Sequence, residues 1–100
     1  DVGPEGGNMR TYEITLIFPE REEEYSSGVE FVRNELGKID ASIVKEDDMG
    51  ERELAYPVKK ETRGHYACFT AEIEPDKVAD LDKSFKLNNS ILKFLFIKKE

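Results

Sequence analysis

In the stretch MGERELAYPVKKETRGHYACF, residues 49–69, four cations gather around the pair Tyr56-Pro57: Arg52, Lys59, Lys60 and Arg63. Side chains of these types neutralise phosphate, the guanidinium through bidentate hydrogen bonds and the ammonium as a compact charge. The same charges could also simply keep a hairpin tip solvated. The rest of the chain sharpens the choice, because 15 Lys and Arg are outnumbered by 22 Asp and Glu, for a formal net charge of −7. Leaving out Asp1 and Glu5 gives −7 + 2 = −5, so the acidic balance persists. Acids cluster at 20–24, 46–48 and 72–82, whereas Lys86, Lys93, Lys98 and Lys99 face only Glu100 near the C-terminus. A bipolar surface of this kind can receive an anion along one margin while the whole molecule stays acidic.

Catalytic chemistry finds little support. His65 is the lone imidazole and follows Gly64 at a strand start, the ordinary place for a solvated turn residue. Cys68 sits mid-strand in an apolar run, as a small core-like residue does. Neither has a partner that would make a nucleophile–base pair. Asp47-Asp48 reads as a soluble loop, since a catalytic carboxylate pair needs a dry cleft to split its pKa values. Gly-rich phosphate loops and HExxH-type metal patterns are missing from the sequence. One Cys and one His cannot build a four-ligand zinc site, so no metal or cofactor is expected. The single Cys also rules out a disulfide within the chain and suits a reducing cytosol. No apolar run approaches the ~18 residues of a membrane span, and no small-molecule substrate is indicated.

The elements that must position the cations follow from periodicity. Residues 11–18 alternate, with Tyr12, Ile14, Leu16 and Phe18 on one side, and predict a first strand ended by Pro19. Tyr25, Val29, Val32 and Leu36 predict a helix over 20–36, with Glu22, Glu23 and Glu24 at the positive end of its dipole and Gly37 as its stop. Ser27 and Glu30 could instead form a capping box and start the helix later. A long second strand runs from Ile39 to Val58, bent at Met49-Gly50, with Pro57 at an edge or strand end. KKETRG forms a turn in which Gly64 could take a positive φ. Residues 66–73 give a third strand, 74–87 a second helix carrying Val78, Leu81 and Phe85, and 92–97 a last strand apolar on both faces. The first eight residues, DVGPEGGN, read as a disordered leader or an expression remnant ahead of a start at Met9, leaving 9–100 as a single domain. The order β-α-β-β-α-β predicts an α+β ferredoxin-like two-layer sandwich. Its four-stranded antiparallel sheet has strands two and four at the edges and two helices on one face.

Such a sheet could be an RNA-recognition motif, and RGHYACF begins as that motif's third-strand signature does. The register then fails, because His65, Tyr66 and Ala67 fall where aromatic, small and aromatic residues are wanted. Another pattern fits better. Gly50, Arg52, Leu54, Ala55, Tyr56, Pro57 and Lys59, spaced G-x-R-x-L-A-Y-P-x-K, then Gly64-x-Tyr66 and the start Met9-Arg10-x-Tyr12-Glu13, resemble the bacterial small-subunit ribosomal protein six family over residues 9–99. Val58 stands where Ile is more usual, and the longer tail of many members is missing after Glu100. The resemblance implies a cytoplasmic, non-enzymatic constituent of the ribosome. It would bind small-subunit rRNA at the platform of the central domain, as a heterodimer with the basic ribosomal protein eighteen. On that reading Arg52, Lys59, Lys60 and Arg63 contact phosphate, and Arg10, Lys98 and Lys99 extend the basic region if the first and last strands are adjacent. Leu54, Tyr56 and Pro57 are the expected partner contacts, with Leu95 and Ile97 as a further sticky patch. Two other readings share the fold. One is a small-molecule-sensing dimer domain, which lacks a Gly-rich ligand loop here. The other is an acylphosphatase-type enzyme, whose Arg and Asn would have to be Arg21 and Asn34 on a predicted helix.

Overall fold

The computed structural model describes residues 9–99, and the expected leader lies outside that range. Strand β1 (Arg10–Phe18) is followed by helix α1 (Glu22–Lys38), strands β2 (Ser42–Val58) and β3 (Glu61–Ile73), a single 3₁₀ turn (Pro75–Lys77) running into helix α2 (Val78–Leu87), and strand β4 (Lys93–Lys99). The sheet order is β2-β3-β1-β4 with every neighbour antiparallel, so β2 and β4 lie at the edges as expected. The inward faces of β1 and β3 bury Ile14, Leu16, Phe18, Phe69, Ala71 and Ile73 against Val32 and Leu36 of α1 and Leu81 and Phe85 of α2. The helices therefore share one face of the sheet. Around Phe85 an aromatic cluster closes this core, with Phe94 edge-on at 5.4 Å and Phe96 stacked at 5.7 Å.

Helix α1 begins at Glu22 with its three acids in the first turn, not at a capping box on Ser27. It also passes through Gly37, the expected stop. The end is set three residues later by Asp40 in the left-handed region (φ 59), where the Asp40 amide donates to Gly37 O and the Ala41 amide to Leu36 O. That is a Schellman motif, built on one of the few non-glycine residues that tolerate this conformation.

The second turn differs from expectation too. Gly64 lies within β3, and the hairpin reverses at Lys59 (φ 49) and Lys60 (φ 69), both left-handed. A two-residue reversal with two positive φ values suits the twist of antiparallel strands but ordinarily uses Asn and Gly. Gly64 is required for space. A Cβ there would lie 2.5 Å from Ile17 Cγ2 and 3.2 Å from the Phe18 carbonyl oxygen. Between Glu53↔Arg63 and Val58↔Glu61 the ladder is irregular, with Leu54–Pro57 opposing Thr62 alone. Pro57, which has no amide to donate, falls inside this bulge on the edge strand.

Gly28 answers a similar need inside α1, where a Cβ would meet the buried Phe18 ring at 2.4 Å. Helix propensity alone favours alanine there by about 1 kcal/mol. Gly28→Ala is nonetheless expected to destabilise the protein by about 1–3 kcal/mol through overpacking. Urea unfolding measures it, and a stabilised variant would contradict the packing described.

Candidate nucleic-acid interface

Strands β2 and β3 outlast their neighbours. The last β1–β3 pair is Phe18↔His65, so residues 54–63 continue past the sheet as an arm with Lys59 and Lys60 at its tip. Arg52 stands at the base of this arm, its guanidinium 5.5 Å from the Tyr66 ring centroid. Lys59 reaches back to donate to the Ile91 carbonyl at 3.1 Å, whereas Lys60 is exposed. Arg63 donates through Nε to Glu20 at 2.6 Å, which raises its pKa further.

The remaining three predicted cations lie elsewhere. Register pairs Thr11 with Lys99 and Tyr12 with Lys98, which groups Arg10, Lys98 and Lys99 at the other end of the sheet. Lys99 also pairs there with Glu13 at 3.2 Å. From the β3 residue opposite Arg10, Ile73, to the tip is a span of about 40 Å at ~3.3 Å per residue, in a molecule 46 Å long. The seven cations thus form two groups at opposite ends, not the single margin expected from sequence. Adjacency of β1 and β4 unites three of them, but away from the arm.

The partner candidates converge better. Antiparallel pairing sets Ile17 beside Tyr66 and Lys93, and Thr15 beside Cys68 and Leu95, on the face that carries no helix. Leu54 reaches this open face through the bulge, since a Cβ on Gly64 would contact both Ile17 and Leu54. The Tyr56 hydroxyl accepts a hydrogen bond from Lys93 Nζ at 3.1 Å, and Tyr56 is 58% exposed. Leu95 and Ile97 extend the patch at 57% and 44% exposure. Pro57 is exposed on the arm. Lys93, Ile17 and Tyr66 join this surface with no sequence motif to mark them as site residues. Alternation along β4 sets Lys93 on one face with Leu95 and Ile97, but its contact with Tyr56 depends on a register that periodicity cannot supply.

His65 is not the solvated turn residue expected from sequence, since it lies within β3 with its side chain largely covered. The His65 ring stacks on Tyr25 with centroids 3.6 Å apart and hydrogen-bonds Asp48 through Nε2, joining α1 to the β2–β3 pair. Burial pushes the Cys68 thiol upward, disfavouring a thiolate. Arg21, just ahead of α1, is bound by Glu24 and Glu61 and cradles no loop.

A family profile described as ribosomal protein S6 matches residues 11–98. The chain belongs to the ribosomal protein S6 family. The curated small ribosomal subunit protein bS6 of Treponema pallidum is 44% identical over 90 residues, which cover 90% of this chain and 97% of that protein. Its counterpart in Treponema denticola is 39% identical, covering 92% and 99%. The crystal structure of 30S ribosomal protein S6 from Thermotoga maritima matches with a TM-score of 0.83 at 24% identity, over 91% of this chain and 88% of that one, a likeness of fold. As an S6-family member, the chain is a structural ribosomal protein of the small subunit rather than an enzyme, and it works in the cytoplasm. No helix among the described residues is long and apolar enough to cross a membrane.

The Asp48 carboxyl is held below the usual range, first by the His65 ring and then by the Gly50 amide, which donates at 2.9 Å. A depressed carboxyl contributes stability above its unfolded value, near 4, and loses it as pH falls through the folded value. Asp48→Asn should therefore lie closer to the parent protein in urea midpoint at about pH 3 than at about pH 6. A gap that widens on acidification would reverse the sign argued here.

Proposed function

We propose that this protein binds small-subunit rRNA in the central domain, at the platform, cooperatively with ribosomal protein eighteen as a heterodimer. One observation carries the RNA half of this reading: the arm places two lysines in left-handed conformations at its tip, where glycine or asparagine would be relaxed. A tip that only had to turn would not need them, while a tip that meets phosphate would. Lys59, Lys60 and Arg52 engage RNA from the arm. Arg10, Lys98 and Lys99 form a second phosphate-binding end, so the RNA contacts bracket the long axis of the domain.

The open face suits a protein partner. Tyr56, Leu95 and Ile97, with half-buried Leu54 beside them, offer apolar and aromatic surface between the two cationic ends, and Tyr56 is the kind of amphipathic anchor on which interfaces concentrate binding energy. Pro57 stiffens the edge beside it. The acidic balance of the chain favours a basic partner in encounter and orientation.

The experiment is a titration of a central-domain rRNA transcript with the protein alone and with ribosomal protein eighteen. Weak binding alone and tight binding together are expected; equal affinity without the partner would remove the cooperative part of the proposal. The Lys59→Ala/Lys60→Ala pair should lower the log–log salt slope by about 1.4–1.8, two phosphate contacts' worth. An unchanged slope would take the tip out of the interface. Tyr56→Ala should loosen the heterodimer by about tenfold or more, with thermal stability preserved. Wild-type affinity for the partner would move the protein interface off the open face.

A further inference from the structure

The sequence groups Arg63 with the phosphate-binding cations, but its contacts set it apart from them. Glu20 and Arg21 are consecutive residues in the β1–α1 loop, and Glu61 and Arg63 project from the same side of β3. They pair reciprocally across the gap, with Arg63 Nε to Glu20 Oε2 at 2.6 Å and an Arg21 terminal nitrogen to Glu61 Oε2 at 2.9 Å. Each acid–base pair of one segment thus meets an inverted pair on the other. The neighbourhood adds Glu24 on Arg21 at 2.9 Å, with Glu51 and Glu53 near enough to act on Arg63. An approaching phosphate on this flank would have to displace carboxylates from both guanidinium groups and would meet more carboxylates behind them.

We propose that Glu20, Arg21, Glu61 and Arg63 form an ionic clasp that orients the β2–β3 arm, making Arg63 a positioning residue for RNA binding and not a phosphate contact. This rests on the RNA-binding reading above and assigns its contacts to the opposite flank. The clasp acts where the arm has lost other support, because β3 has no β1 partner before His65 and the β2–β3 ladder is bulged at Leu54–Pro57. On the other flank Lys59 binds the Ile91 carbonyl and Lys93 binds Tyr56, so the arm is tethered from both sides while the Lys60 end stays outward. Carboxylates bordering one flank also repel phosphate there, which confines an RNA strand to the tip and the Arg52 side.

Charge reversal separates the two roles. Binding of the central-domain rRNA transcript, with ribosomal protein eighteen present, is measured across a salt series for Arg63→Glu, Glu20→Arg and the double reversal. Each single change is expected to weaken binding about fivefold, the scale of one well-placed surface ion pair. The double reversal restores the pair, so affinity should return to within about twofold of wild type with an unchanged salt slope. A double variant as weak as Arg63→Glu, with its slope reduced by about 0.7–0.9, would mean that Arg63 touches phosphate. Hydrogen exchange of the arm amides in the free protein supplies an RNA-independent readout: faster in each single variant, restored in the double. Unchanged exchange in the single variants overturns the clasp. Wild-type protein that binds no RNA, together with restored exchange in the double variant, sinks the RNA reading and leaves the clasp standing. Glu20→Gln and Arg63→Gln serve if a reversal impairs folding.

Discussion

A mismatch in strand length governs this molecule. β2 and β3 span 17 and 13 residues, whereas β1 and β4 span nine and seven. Antiparallel pairing needs partners of equal reach, so the longer hairpin must leave the sheet and stand without neighbours. Side chains then have to do what a ladder does elsewhere. They tie the arm to the β1–α1 loop through two ion pairs, to Ile91 in the α2–β4 loop through Lys59, and to the start of β4 through Lys93. Exposed pairs of this kind are individually weak and screened by salt. The arm accordingly rests on contacts that salt or a bound polyanion would weaken.

On the proposed reading, the same mismatch accounts for how an acidic chain would present cations to nucleic acid. Phosphate affinity depends on local potential, not on the overall sign. Extending the hairpin puts Lys59 and Lys60 at its tip, beyond the Glu20 and Glu61 carboxylates that Arg63 and Arg21 bind, and the termini of β1 and β4 collect Arg10, Lys98 and Lys99 at the far end. Between the two ends the open face exposes Tyr56, Leu95 and Ile97, which on the proposed reading meet a protein rather than a polyanion. The proposed division of labour along the sheet would follow from strand ends and strand alternation together.

Much of the architecture was legible in the residues. Strict alternation in β1, β3 and β4 gave the inward faces, two helical stripes gave the second layer, and crossover handedness gave the edges. What escaped was set by tertiary space and by register. Gly64 invited a turn, yet it is needed because Ile17 and the Phe18 carbonyl leave no room for a Cβ. Gly37 invited a helix stop, but Asp40 accepts the left-handed conformation instead. Lys59 and Lys60, poor turn formers by composition, take the reversal. For the site, residue types identified the cations, and spacing could not reveal that they separate into two ends about 40 Å apart, since that distance is strand rise multiplied along β3. Tyr56 with Lys93 and Glu20 with Arg63 are contacts between segments distant in sequence, which no local pattern encodes.

The central claim is that both ends of the sheet meet rRNA while the helical face does not. Directed hydroxyl-radical cleavage tests it most directly, with an iron chelate tethered through Lys60→Cys, Lys98→Cys or Asn34→Cys in a Cys68→Ser background, bound to the central-domain transcript with ribosomal protein eighteen. The account predicts strand scission from the first two positions, at separate RNA segments, and none from Asn34 on the exposed side of α1. Scission from Asn34 with silence from Lys60 would contradict it.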